Sequence, residues 1–261
     1  MKRPVGVLAL VLGIGLATFA PDPSAVRADH GGSPIGSMPT CERPVDPPRC
    51  TSVGNDRWHY IYIDASVPAD LADAIRQAMG VYDGTYLVVV EQPRITDATD
   101  AIAYASDAGQ NGAAGWVYCP PDAPQGLNGF GHRWCRHQEI HFNLNSRYHA
   151  FFADGASRLS LACHEMGHTI GLRHWGNPPR SMGPAARTCM QPDVPDGPTD
   201  LDRRDRDHID AYYAAADAAP AHPDTRRIRR GAAYDADARS HLRGDVPRPP
   251  EREGWWSASI R

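Results

Sequence analysis

His164-Glu165-Met166-Gly167-His168-Thr169-Ile170-Gly171-Leu172-Arg173-His174 is the stretch on which the reading of this 261-residue chain turns. His164 and His168 are four residues apart, so on an α-helix they stand one above the other on a single face. Two imidazoles placed that way can hold one Zn²⁺ at about 2.0–2.1 Å each. Glu165 projects from the adjoining flank, poorly placed to ligate but able to reach a water on the metal. Gly171 supplies a residue that can turn left-handed and stop the helix. The chain is then free to swing back and bring His174 in as a third ligand from outside the helix. Three protein ligands leave one position for water, the arrangement of a catalytic zinc rather than a structural one.

Around this stretch the residues predict a helix over Ala156 to Leu172, with a polar start at Asp154-Gly155 and core contacts from Leu159, Leu161 and Ile170. Upstream, Trp58 to Ile63 alternates bulky and β-branched residues and predicts a strand. Pro68 to Met79 predicts a helix, with Leu71, Ile75 and Met79 at four-residue spacing. Tyr86 to Val90, Ala101 to Ala105 and Gly115 to Tyr118 read as further short strands. Strands interleaved with a helix imply a mainly parallel sheet with helices packed on it. Residues 119–138 read as a Gly/Pro-containing loop clamped by its two cysteines. Downstream, 184–199 is Pro-rich loop, and Asp200 to Tyr213 predicts a closing helix with Leu201, Ile209 and Tyr212 or Tyr213 inward and its charges on a solvated face.

The ends differ in character. Residues 1–28 have the form of a secretory signal: Lys2 and Arg3, an apolar run from Val5 to Ala20, and a small-residue cleavage site at Val26-Arg27-Ala28. Residues 29–57 read as loop or a short pro-segment, and 218–261, rich in Ala, Asp, Arg and Pro, as a flexible tail carrying Trp255-Trp256. A net charge of −4 offers nothing to nucleic acid or an anionic membrane surface. The apolar run near the start is short for a membrane span. The six cysteines suit an oxidising destination. They allow about fifteen pairings; loop proximity favours Cys41–Cys50, Cys119–Cys135 and Cys163–Cys189.

H-E-x-x-H-x-x-G-x-x-H resembles the metzincin superfamily of zinc endopeptidases. The resemblance extends to Ser181-Met182-Gly183-Pro184, eight residues past His174, which stands where that family has its Met-turn. It implies that Met182, or Met190 as the second choice further downstream, forms an apolar floor beneath the histidines. It also implies that Gly115, Trp116, Val117 and Tyr118 form the lower edge strand, with which an extended substrate pairs through backbone hydrogen bonds. Glu139-Ile140-His141-Phe142-Asn143 is similar to a matrix metalloproteinase strand whose histidine helps bind a second, structural zinc. The partner ligands are not recognisable here, and His132, His137 and His149 match no spacing of that kind. Pro48-Arg49-Cys50 is similar to the start of the cysteine switch, but Thr51-Ser52-Val53 departs from it. Pro184 stands where some metzincins carry a zinc-assisting tyrosine, which favours the matrix metalloproteinase pattern. Snapalysin, a small secreted bacterial protease, is a further resemblance, but that family uses aspartate where this chain has His174.

The reading is therefore a signal at 1–28, a loop or pro-segment at 29–57, a metzincin-like catalytic domain at 58–217 and a tail at 218–261. The domain is of the α+β or α/β class: a twisted, mostly parallel sheet, an active-site helix, and a small C-terminal subdomain after the zinc site. The expected function is that of a secreted, monomeric zinc metalloendopeptidase. His164, His168 and His174 hold the metal, Glu165 is the general base, and an extended polypeptide is the substrate. Calcium at acidic loops such as Asp193 to Asp202 has no specific support. The rivals are a zinc-containing binding module without catalysis, which could discard Glu165 at no cost to metal binding, and a zinc hydrolase of non-peptide substrates, against which the edge strand speaks.

Overall fold

A computed structural model describes residues 52–120, 122–127, 133–174, 188–191, 197–218 and 257–259. Its centre is a six-stranded sheet. The strands β1 (Trp58–Ile63), β2 (Val88–Gln92), β3 (Ala101–Ser106), β4 (Ala113–Tyr118), β7 (Gln138–Asn143) and β8 (Ser257–Ser259) lie in the order β2-β1-β3-β7-β4-β8. β1 pairs in parallel with β2 and β3, and β3 in parallel with β7. β4 runs antiparallel to β7, with Trp116 opposite His141. The mostly parallel sheet is as expected. The stretch 119–138, expected as loop, instead contains a small hairpin of β5 (Gln125–Leu127) and β6 (Arg133–Cys135). A Cys119–Cys135 disulfide ties its end back to the end of β4.

Helices α1 (Ala69–Val81) and α2 (Gly155–Thr169) pack against one another beside the sheet, and α3 (Arg203–Ala218) closes the core. α1 begins after Pro68, whose fixed φ suits a helix start. The alternate residues Ala101, Ala103 and Ala105 of β3 are buried in the core. Their small side chains leave room for Leu71 and Ile75 of α1 and Leu161 and Met166 of α2, all of which are buried there as well. Each large aliphatic side chain buried in this way contributes about 1.5–3 kcal/mol.

α3 starts and ends later than its charge pattern suggested, and it is not merely a solvated charged face. Asp205 is fully buried and accepts from the Thr188 hydroxyl. Tyr213 Oη donates to the Ile170 carbonyl at 2.9 Å and accepts from the Gly54 amide at 3.0 Å, joining the last helix to the end of α2 and to the start of the domain. Within the stretch 218–261, expected as a flexible tail, the described residues are Ala218 at the end of α3 and 257–259, which form β8. The Ser257–Ser259 strand pairs antiparallel with β4.

Candidate metal centre

α2 carries the first half of the site. Asp154 caps it by accepting from the Ser157 amide at 2.8 Å. At the other end Gly171, at φ +89°, provides the left-handed residue. Leu172 N–H donates to the Gly167 carbonyl at 2.9 Å and Gly171 N–H to that of His168 at 3.1 Å, the two bonds of a Schellman end. The chain turns out of the helix there and returns His174 towards His164 and His168.

The ring nitrogens of His164, His168 and His174 converge, all lying within 4.8 Å of one another. His164 Nε2 is 3.1 Å from His174 Nε2 and 3.0 Å from His168 Nε2. The opposite nitrogens of His164 and His168 are already committed. His164 Nδ1–H donates to the Cys189 carbonyl at 2.7 Å, and His168 Nδ1–H to that of Leu172 at 2.8 Å. A carbonyl can only accept, so the proton sits on Nδ1 and the Nε2 lone pair faces inward. Burial pushes His164 down to about 4 and His174 down to about 3, and holds His168 well below its usual range. Two inward lone pairs and the His174 Nε2 meet at one point, an arrangement that a cation between the three rings would satisfy. The donor set thus fits Zn²⁺, with orienting partners of the kind zinc-binding histidines use.

Glu165 is completely buried at the same turn of α2. It lies hard against β4: a Cβ added to Gly115 would fall 2.7 Å from Glu165 Oε1. The acid, the histidine cluster and the edge strand are therefore neighbours. Trp116, on β4, is buried and stacks on His141 at 4.9 Å, with Tyr104 near the same imidazole at 5.6 Å. His141 Nε2 lies 2.8 Å from Glu139 Oε2, so it is held in an aromatic and carboxylate setting. Among the described residues, His164 and His168 of the H-E-x-x-H stretch together with His174 are the one group arranged to hold a metal. Asp200 pairs with Arg206 at 2.7 Å, and Asp202 accepts from the Asp205 amide.

Met182 lies outside the described residues, as do Cys41, Cys50, His132 and Trp255-Trp256. Met190 is described and fully buried. Its sulfur and methyl pack so closely on Gly167, between His164 and His168 along α2, that no Cβ could be added there. A Cys163–Cys189 disulfide, one of the expected pairs, fastens the residue before Met190 to the residue before His164. Asp205 holds Thr188 from the other side. Met190 and Asp205 are residues that sequence reasoning ranked second or passed over.

A mostly parallel sheet, an H-E-x-x-H helix behind its last antiparallel strand, and a third histidine returning past a glycine together make a metzincin-like arrangement. Human matrix metalloproteinase-26 is 27% identical over 161 residues, covering 59% of this chain and 57% of that protein. The chain thus spans little more than half the length of that relative. A solved structure of high choriolytic enzyme 1, a hatching enzyme zinc-protease from medaka fish, is 16% identical over 46% of each chain, with a TM-score of 0.26. No family profile matches the chain. The chain is thus similar over part of its length to a matrix metalloproteinase, and its described residues bring three histidines together.

Proposed function

We propose that this chain is an exported zinc-dependent endopeptidase that hydrolyses peptide bonds in an extended polypeptide. The observation that carries this reading is the convergence of three inward-facing Nε2 atoms beside the buried carboxylate of Glu165. His164, His168 and His174 would hold the zinc. When bound, the metal lowers the pKa of an attacking water and polarises the scissile carbonyl. Glu165 takes a proton from that water and delivers it to the leaving amine. β4 offers backbone groups along Gly115 to Tyr118 with which a substrate strand pairs, and the bare Gly115 lets that strand lie directly against the acid. Met182 keeps its expected part as the apolar floor, and Met190, buried against the helix between the ligands, adds apolar packing from the described residues. Export is supported by the leader-like residues 1–28 and by disulfides within the domain. Among the described residues no helix is long and apolar enough to cross a membrane.

The test is cleavage of casein by the purified chain beside Glu165→Ala. The wild type should cut, and the variant should bind one zinc equally well while losing at least about 100-fold in kcat/KM, the scale of general acid–base catalysis. A wild type that holds zinc and cuts no polypeptide under any condition would remove the peptidase reading and leave a binding module.

A further inference from the structure

β4 is the last strand of the sheet on the side of the metal centre until β8 is added, and β8 comes from the far C-terminal part of the same chain. It pairs antiparallel, with Ser259 opposite Ala113 and Ser257 opposite Trp116, and with an irregularity between the two. The stretch of β4 that it covers contains Gly115, the residue whose backbone abuts Glu165. Cα atoms of β8 also come within 8 Å of α2, the helix carrying His164 and His168. A sheet edge has one row of N–H and C=O groups to offer, so a strand already seated on it excludes a second.

We propose that Ser257–Ser259 is a built-in competitor for the peptide-binding edge: it occupies β4 beside Glu165 as an added antiparallel strand and masks it until displaced or removed. The proposal rests on the peptidase reading above, since a masked edge matters only if substrate uses it. The chemistry of the segment suits a reversible mask. Backbone pairing over a three-residue strand supplies its affinity. Such a short strand binds weakly in trans, but attachment to the domain gives it an effective concentration in the millimolar range. Residues 219–256 separate it from the end of α3, far more chain than is needed to reach the edge. Masking by a tethered segment of this kind raises the apparent KM and leaves kcat alone.

The experiment compares the full chain with a full-chain variant carrying Ser257→Pro, Ala258→Pro and Ser259→Pro, which strips the segment of its N–H groups and lies outside the core. Three readouts are taken: amide exchange at Ala113–Trp116, zinc content, and cleavage of a quenched peptide substrate. The expected result is faster exchange on β4, unchanged zinc, and a KM lowered roughly threefold or more at constant kcat. Adding a synthetic peptide of residues 252–261 at millimolar concentration to the proline variant should raise KM again. Unchanged exchange on β4 would overturn the pairing. Faster exchange with unchanged KM in an enzyme that cuts would overturn the competition and leave the peptidase reading intact. If neither protein cuts while both hold zinc, the peptidase reading fails, and the competitive role falls with it.

Discussion

Gly115 and Glu165 touch across the gap between an edge strand and a helix, and that contact sets how far the acid stands from any substrate on β4. An added methyl at Gly115 would meet Glu165 Oε1 at 2.7 Å and its Cγ at 2.9 Å. The carboxylate is the far end of a flexible side chain, so it can move aside and the fold survives. In the proposed mechanism that carboxylate is the base, and displacing it by the order of an ångström costs about 100-fold in rate. Gly115→Ala should therefore lose about 100-fold in kcat/KM with little change in melting temperature or zinc content; steady-state kinetics beside a thermal melt checks it. Asp100 gives a residue-scale prediction about pH. It is buried at the start of β3, where Oδ2 accepts from the Tyr60 amide at 2.8 Å and Oδ1 has no hydrogen-bond partner among the described residues. Burial pushes its carboxyl up to about 8, against the opposing pull of the Tyr60 hydrogen bond. The unfolded chain releases that proton near pH 4. Between about pH 4 and 8 the folded state thus binds more protons than the unfolded one, and stability falls as pH rises, by at most about 1.4 kcal/mol per unit. Asp100→Asn keeps an oxygen for the Tyr60 amide and cannot ionise. Urea unfolding at pH 5 and pH 8 should show the variant gaining on the wild type at the higher pH. The contribution of His59, whose pKa burial lowers to about 4, cancels in that comparison. Parallel pH profiles would rule the explanation out.

The elements divide between those whose cause is local and those whose cause is distant. The histidines of α2 were legible because ligand spacing on a helix is set by a 3.6-residue period, and the stop at Gly171 by one left-handed residue. The strand at Trp58–Ile63 was legible because alternate residues of a strand face the same side of the sheet. Met190 was less so: Met182 stands nearer to His174 in sequence, and only packing shows that Met190 rests on Gly167. Asp205 was hidden inside a charged run, because its burial depends on Thr188 from another segment. β8 carries no side-chain signal at all. The Cys163–Cys189 disulfide joins the two kinds of information, being guessed from proximity and explained by its surroundings. It secures Cys189, whose carbonyl holds the Nδ1 proton of His164. Breaking the orienting partner of a metal ligand typically costs 10–100-fold in affinity. Cys163→Ala/Cys189→Ala should thus weaken zinc binding by about that factor in a chelator competition, beyond the roughly 3–4 kcal/mol of stability expected from losing the loop closure. Unaltered zinc affinity in a folded double variant would detach the disulfide from the metal centre.

At the scale of the whole domain, the histidine cluster is wired into the core from several directions. α2 packs on α1, Tyr82 Oη donates to the Cys163 carbonyl beside His164, and Tyr213 ties the Ile170 carbonyl to the Gly54 amide. His174 comes from beyond the helix, so a cation shared by the three rings closes the chain on itself across Gly171. An ion held by the folded state alone stabilises the domain by mass action, about 4 kcal/mol when it is supplied at a thousand times its dissociation constant. For a domain of this size each kcal/mol moves the melting temperature by about 2–4 °C, so chelation should lower it by roughly 8–16 °C. Because the ligands sit in the packed core rather than on an isolated loop, near-UV and far-UV signals should shift together. His174→Ala, which deletes the ligand outside the helix, should abolish most of the difference between zinc-loaded and chelated protein. Glu165→Ala, which removes the acid and keeps all three imidazoles, should retain it. A chelation shift that survives His174→Ala would mean that the stabilising ion sits elsewhere.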